Sequence, residues 1–111
     1  MKEAKAISKY VRISPRKARL AAGIIRGLDV EKAKLQLLYS QLRGGRLIKK
    51  TLDSAVANAE TQLNLQRDKL FVKEIRVDEG PTHKRAKPKN RGGRVPILKR
   101  TSHFTVVVAE R

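Results

Sequence analysis

The sequence has no cysteine and no tryptophan, only two tyrosines and two phenylalanines, and ten acidic residues against 27 lysines and arginines. The missing cysteine excludes disulfides, thiolate nucleophiles and cysteine-ligated zinc together. Four aromatics, Tyr10, Tyr39, Phe71 and Phe104, are too few to expect base-stacking platforms, and no RRM signature surrounds them. Nothing approaches the roughly 18 consecutive apolar residues of a membrane span, and the opening MKEAKAISKY lacks the apolar run of a secretion signal. The expectation is a protein used where it is made, in the cytoplasm, with no membrane partner. There is also no glycine-rich phosphate loop, no pair of catalytic carboxylates and no nucleophile constellation, so no enzyme, cofactor or small-molecule substrate is expected. His83 and His103 share no metal-ligand spacing, which leaves no metal site in view.

What is present is positive charge. The formal net charge is +17 on 111 residues, and a field of that sign and size points to a polyanion, most commonly nucleic acid. The charge is uneven. Residues 1–79 hold 18 basic and 9 acidic side chains, whereas residues 80–111 hold 9 basic and one acidic. The densest stretch, GPTHKRAKPKNRGGRVPILKRTSH from Gly80 to His103, carries eight lysines or arginines, three prolines, three glycines and no acid. Like charges in a run normally repel and stay unfolded. Here, however, LFVKEIRV precedes the run, SHFTVVVA follows it, and Gly92-Gly93 offers a turn near its middle.

Periodicity places the other elements. KEAKAISKYVRIS alternates as a half-buried edge strand does. In SPRKARLAAGIIRG, Ser14 can cap a helix whose first position, Pro15, has no N–H to lose, and Gly27 stands where the helix should stop. A second helix is expected from about Asp29, with Ala33, Leu37 and Leu38, ending near Leu42 at a Gly44-Gly45 break. A third is expected from about Arg46 to Leu65 on the stripe Ile48, Leu52, Ala55, Ala59 and Leu63. From Leu70 the period falls to two, with Phe71, Ile75 and Val77 on one side, and His103 to Ala109 is a strand with Phe104, Val106 and Val108 on one face. The reading is an α+β fold: three helices packed on a small three-stranded antiparallel sheet, with a long extended basic β-hairpin at about residues 80–100 of a single domain, 1–111. Pro88 and Pro96 are expected to keep the hairpin arms irregular and confine regular pairing to the neck. Asp78-Glu79 are expected to neutralise nearby cations there rather than to hold magnesium.

Arg16, Lys17 and Arg19 crowd the first turn of the first helix, the wrong end for cations because the helix dipole is already positive there. A phosphate would meet free N–H groups, the Ser14 hydroxyl and these side chains at once. Arg12 lies two residues before the cap. SAVANAE, from Ser54 to Glu60, supplies small residues for close helix packing.

These stretches also carry a resemblance. SPRKARL followed by IIRG, SAVANAE, VDEGPTHKR and ILKRTSHFTVVV stand in the order and spacing of the bacterial large-subunit ribosomal protein twenty-two family, over essentially the whole chain. The resemblance implies a structural constituent of the large ribosomal subunit with no catalytic residues, a monomer within the ribosome among neighbouring large-subunit proteins. Its globular part would lie near the exit of the nascent-peptide tunnel, and its hairpin would thread through 23S rRNA to the tunnel wall, near where macrolides bind. By position, Lys84, Arg85, Lys99 and Arg100 resemble the rRNA-contacting arms; with Ser14, Arg16, Lys17 and Arg19 of the helix start, and Arg12, His83 and Lys87 beside them, they are the candidate rRNA-binding residues. Lys89, Asn90, Arg91, Gly92, Gly93 and Arg94 would form the tip facing the tunnel and the nascent peptide. His83 stands where many bacterial members have methionine, and Gly92-Gly93 gives a more flexible tip. The competing class is a dimeric architectural DNA-binding protein with basic β-arms.

Overall fold

The computed structural model describes residues 2–88 and 94–111, with 83–88 and 94–98 described by backbone alone. Strand β1 (Glu3–Val11) buries Ala4 and Ala6 and exposes Glu3, Lys5 and Ile7, the alternation of a strand with one dry face. It lies at the edge of an antiparallel sheet ordered β1-β5-β2, in which β5 (Ser102–Glu110) is central. Phe104, Val106 and Val108 of β5 are fully buried under the helices.

β2 (Leu70–Glu79) departs from the strict alternation expected of it. Val72 pairs with Val108 and Glu74 with Val107, so Lys73 is an extra residue that shifts the register. Before this bulge Leu70 and Val72 point into the core; after it Ile75 and Val77 do. Phe71 is therefore on the opposite face from Ile75 and Val77, half-buried, with the Arg111 guanidinium 4.6 Å above its ring.

Helix α1 (Pro15–Ile25) starts as expected: Ser14 is extended and its side chain accepts from the Lys17 backbone N–H, with Pro15 at the first turn. After Ile25 the chain turns back at Gly27, whose φ of +83° lies where a side chain would be strained, and Gly27 N donates to Val72 O at 3.0 Å, tying the turn to β2. Helix α2 (Val30–Leu38) is shorter than expected, and Leu38 is exposed. Helix α3 (Arg43–Leu63) starts earlier, and the supposed break Gly44-Gly45 is its buried first turn. These glycines are there for proximity. A Cβ on Gly44 would lie 3.3 Å from the Ala18 Cα of α1, so two helix backbones meet where a side chain would hold them apart. The stripe Ile48, Leu52, Ala55 and Ala59 is fully buried, with Leu63 packed at its margin. All three helices cover the same sheet face and enclose one apolar core.

A short 3₁₀ turn (Arg67–Lys69) leads into β2, and beyond β2 strands β3 (His83–Pro88) and β4 (Arg94–Lys99) form a separate two-stranded ribbon. The expectation that proline confines pairing to the neck does not hold. Regular antiparallel register runs from His83↔Lys99 to Pro88↔Arg94. Pro88 and Pro96 fall on the same alternate set of cross-strand pairs, so a ladder that places its hydrogen bonds on the other set asks neither proline for a donor. The ribbon lengthens the molecule: its extents are 62 × 25 × 16 Å, and its radius of gyration is 16.9 Å. A compact chain of this length would have about 13 Å.

Candidate nucleic-acid interface

Two basic surfaces emerge. The first surrounds the start of α1, where Arg12, Arg16 and Lys17 are exposed and Ser14 holds the cap, with no acidic residue in the turn. It continues across a groove of about 360 Å³ to the start of α3, with Lys17 and Arg43 on the rim and Ile13, Leu20 and Leu42 as apolar walls. Arg43 escapes sequence reasoning because the glycine pair after it looks like a break. Once those glycines are seen as the first turn of α3, Arg43 becomes a cation at a second helix start, where the dipole gives it no internal reason to be. Arg19 is placed differently from its neighbours. Its Nε and Nη2 donate to Val77 O at 3.2 and 3.0 Å, bracing α1 against β2 and leaving the remaining N–H groups of the fork for another acceptor. Arg26 makes a similar brace, to Ile75 O at 3.0 Å.

The second surface is the ribbon. In its register Lys84 faces Leu98, Arg85 faces Ile97, Lys87 faces Val95 and Arg94 faces Pro88, so no lysine or arginine stands directly across from another. His83 pairs with Lys99, which is exposed, as is the following Arg100. Like charges opposed across a ladder are destabilising. This stagger lets a ribbon be densely cationic and still pair. Of the expected tip, Lys89, Asn90, Arg91, Gly92 and Gly93 lie outside the described residues, and Arg94 opens β4.

The neck is closed by neutral bonds. Gly80 N donates to Thr101 O at 3.0 Å, and the buried Thr101 hydroxyl donates to Pro81 O at 2.6 Å. The Ser102 hydroxyl donates to Ile13 O at 2.7 Å, fixing the neck beside the α1 start. Among the described residues the ion pairs do not include Asp78 or Glu79, and no cluster of three His, Asp or Glu could hold a metal ion. The same residues contain no helix long and apolar enough to cross a membrane.

A compact α+β core, cations gathered at two helix starts and a paired basic ribbon projecting from one end define a protein built to engage folded nucleic acid through its phosphates. The comparisons with known proteins agree: residues 6–109 match the family described as ribosomal protein L22p/L17e, and the chain belongs to that family. It is 75% identical to the large ribosomal subunit protein uL22 of Protochlamydia amoebophila (strain UWE25) over 109 residues, 98% of each chain. It is 63% identical to uL22 of Chlamydia abortus and 62% identical to uL22 of Chlamydia felis, each over 107 residues and 96% of both chains. The protein is thus a structural, non-enzymatic constituent of the large ribosomal subunit, with ribosomal RNA and ribosomal proteins as its partners and the bacterial-type cytoplasmic ribosome as its place.

Proposed function

We propose that this chain works as one domain that grips 23S rRNA by its two basic surfaces and carries the ribbon tip to the wall of the nascent-peptide tunnel, as a monomer within the subunit. On the core, Arg12, Arg16, Lys17 and the free N–H groups of Arg19 take phosphates around the Ser14-capped helix start. On the ribbon, His83, Lys84, Arg85, Lys87, Lys99 and Arg100 do so on both arms. Lys89 to Arg94 meet the nascent peptide. The observation that carries this reading is the staggered register, in which each Lys or Arg opposes a residue other than Lys or Arg along the described ribbon. The stagger lets both arms carry cations and still pair, and a paired ribbon with eight lysines or arginines and no acid between Gly80 and His103 suits a partner that surrounds it with negative charge.

The test is binding of the purified chain to large-subunit rRNA across a salt titration. Arg16→Glu with Lys17→Glu should weaken binding strongly and flatten the log–log salt slope, by up to about 0.9 for each phosphate that is no longer neutralised on a duplex site. Stability should be unchanged or slightly raised, since the substitution replaces cations by anions at a helix start, an effect of about 0.3–1 kcal/mol per charge. Unaltered affinity and slope would mean that this turn is only solvated charge. Dimerisation with preference for bent duplex DNA would support the architectural DNA-binding class instead.

A further inference from the structure

Tyr10 is the most unusual residue of the described backbone. Its φ is +58°, left-handed, at a bulky aromatic for which that region is a genuine outlier. The cause is local. Ser8 pairs with Phe104 and Val11 with Ser102, so Lys9 and Tyr10 together oppose His103 in a bulge that re-aims the side chain. The surroundings hold the strained conformation in place. The Tyr10 backbone N–H donates to His103 Nδ1 at 3.1 Å, and the two rings stand perpendicular with centroids 5.0 Å apart. His103 is itself confined, because a Cβ on Gly80 would come within 3.1 Å of its ring. Yet this fixed ring contributes little to the core: Tyr10 is 62% exposed. Strained residues persist when their neighbours over-determine them, and they gather at binding sites.

Building on the rRNA-binding reading, we propose that Tyr10 is a stacking platform for one unpaired RNA base at the root of the ribbon. A perpendicular partner covers at most one face of the tyrosine ring, and at 62% exposure most of the residue is left accessible to a flat ligand. Lys9 and Arg12, both exposed, flank it in the chain and can take the phosphates on either side of a base splayed onto the ring. An aromatic face next to cations suits a nucleobase, whose π-face is available whatever its identity, and the site is therefore tolerant of sequence. The bulge supplies the geometry: a regular strand would direct residue 10 by simple alternation, and the extra residue turns the ring out beside the neck.

The absence of tryptophan and the presence of only two tyrosines make the test direct. The full chain carrying Tyr39→Phe is labelled with 3-fluorotyrosine, so that Tyr10 gives the one fluorine resonance, and is titrated with a single-stranded RNA octamer or with an abasic octamer of the same charge. The RNA should move the resonance upfield by ring currents, and the abasic strand should not. In parallel, Tyr10→Leu should lower affinity for the RNA octamer roughly tenfold with an unchanged salt slope, because it removes a stacked base and leaves every phosphate neutralised, whereas Tyr10→Phe keeps the stack. Equal affinity of the Leu variant, or an abasic strand that moves the resonance as far as RNA does, overturns the platform while leaving rRNA binding intact. A wild-type chain that binds no rRNA overturns both. The fluorine measurement keeps Tyr10 in place and so stands even if the Leu variant fails to fold.

Discussion

Gly80 shows how tightly the neck is specified at the scale of one residue. A Cβ there would lie 2.5 Å from the Thr101 hydroxyl oxygen, and that hydroxyl is buried and already committed to Pro81 O. Gly80→Ala should therefore displace the hydroxyl and break its bond, costing roughly 1–3 kcal/mol. A urea melt should show a lower midpoint with an unchanged m-value. In a Thr101→Ala background the same substitution should cost clearly less, since the group it strikes is gone. Equal cost in both backgrounds would place the constraint elsewhere. His103 belongs to the same lock, and its position explains why it looked featureless in the sequence: its partners, Tyr10 and Gly80, are far away along the chain.

At the scale of elements, what was legible followed local chemistry. Ser14-Pro15 announces α1, the Ile48 to Ala59 stripe announces α3, and the valines around Phe104 announce the central strand. What was not legible depended on distant parts of the chain. Gly44-Gly45 has the composition of a break, and only the approach of Ala18 makes it a helix turn. The bulge at Lys73 adds a residue without any compositional mark, so the LFV run can be phased either way, and simple alternation puts Phe71 with Ile75 and Val77 when it lies on the opposite face. Taken singly, each proline of the ribbon reads as a break in pairing, while their tolerance comes from sharing one set of cross-strand pairs. The candidate site was legible as cations and cap, but Arg43 and the bracing role of Arg19 required the fold. The helical stripe and the strands of the three-stranded sheet bury their apolar faces against one another, and the Glu79↔Ser102 pair closes the sheet below the ribbon. Replacing residues 82–98 by a short glycine-containing turn should therefore leave helical circular dichroism and a cooperative thermal transition. A non-cooperative melt would show that the ribbon is part of the folding unit.

At the scale of the molecule, an extent of 62 Å along one axis against 25 and 16 Å along the others separates two tasks. The core holds a position, and the ribbon reaches from it. Eight cations between Gly80 and His103 without an acid are costly on a free protein, and in the proposed function phosphates along the ribbon remove that cost. The central claim is that this reach ends at the nascent chain. The most direct measurement incorporates a photo-crosslinking amino acid at Asn90 and irradiates ribosomes stalled with a nascent peptide in the tunnel. Crosslinks from residue 90 to the peptide and to 23S rRNA, with none from a control position on the core such as Lys50, are the expected result. Contradiction would come from assembled subunits in which residue 90 does not crosslink to the nascent peptide, whether or not it crosslinks to rRNA.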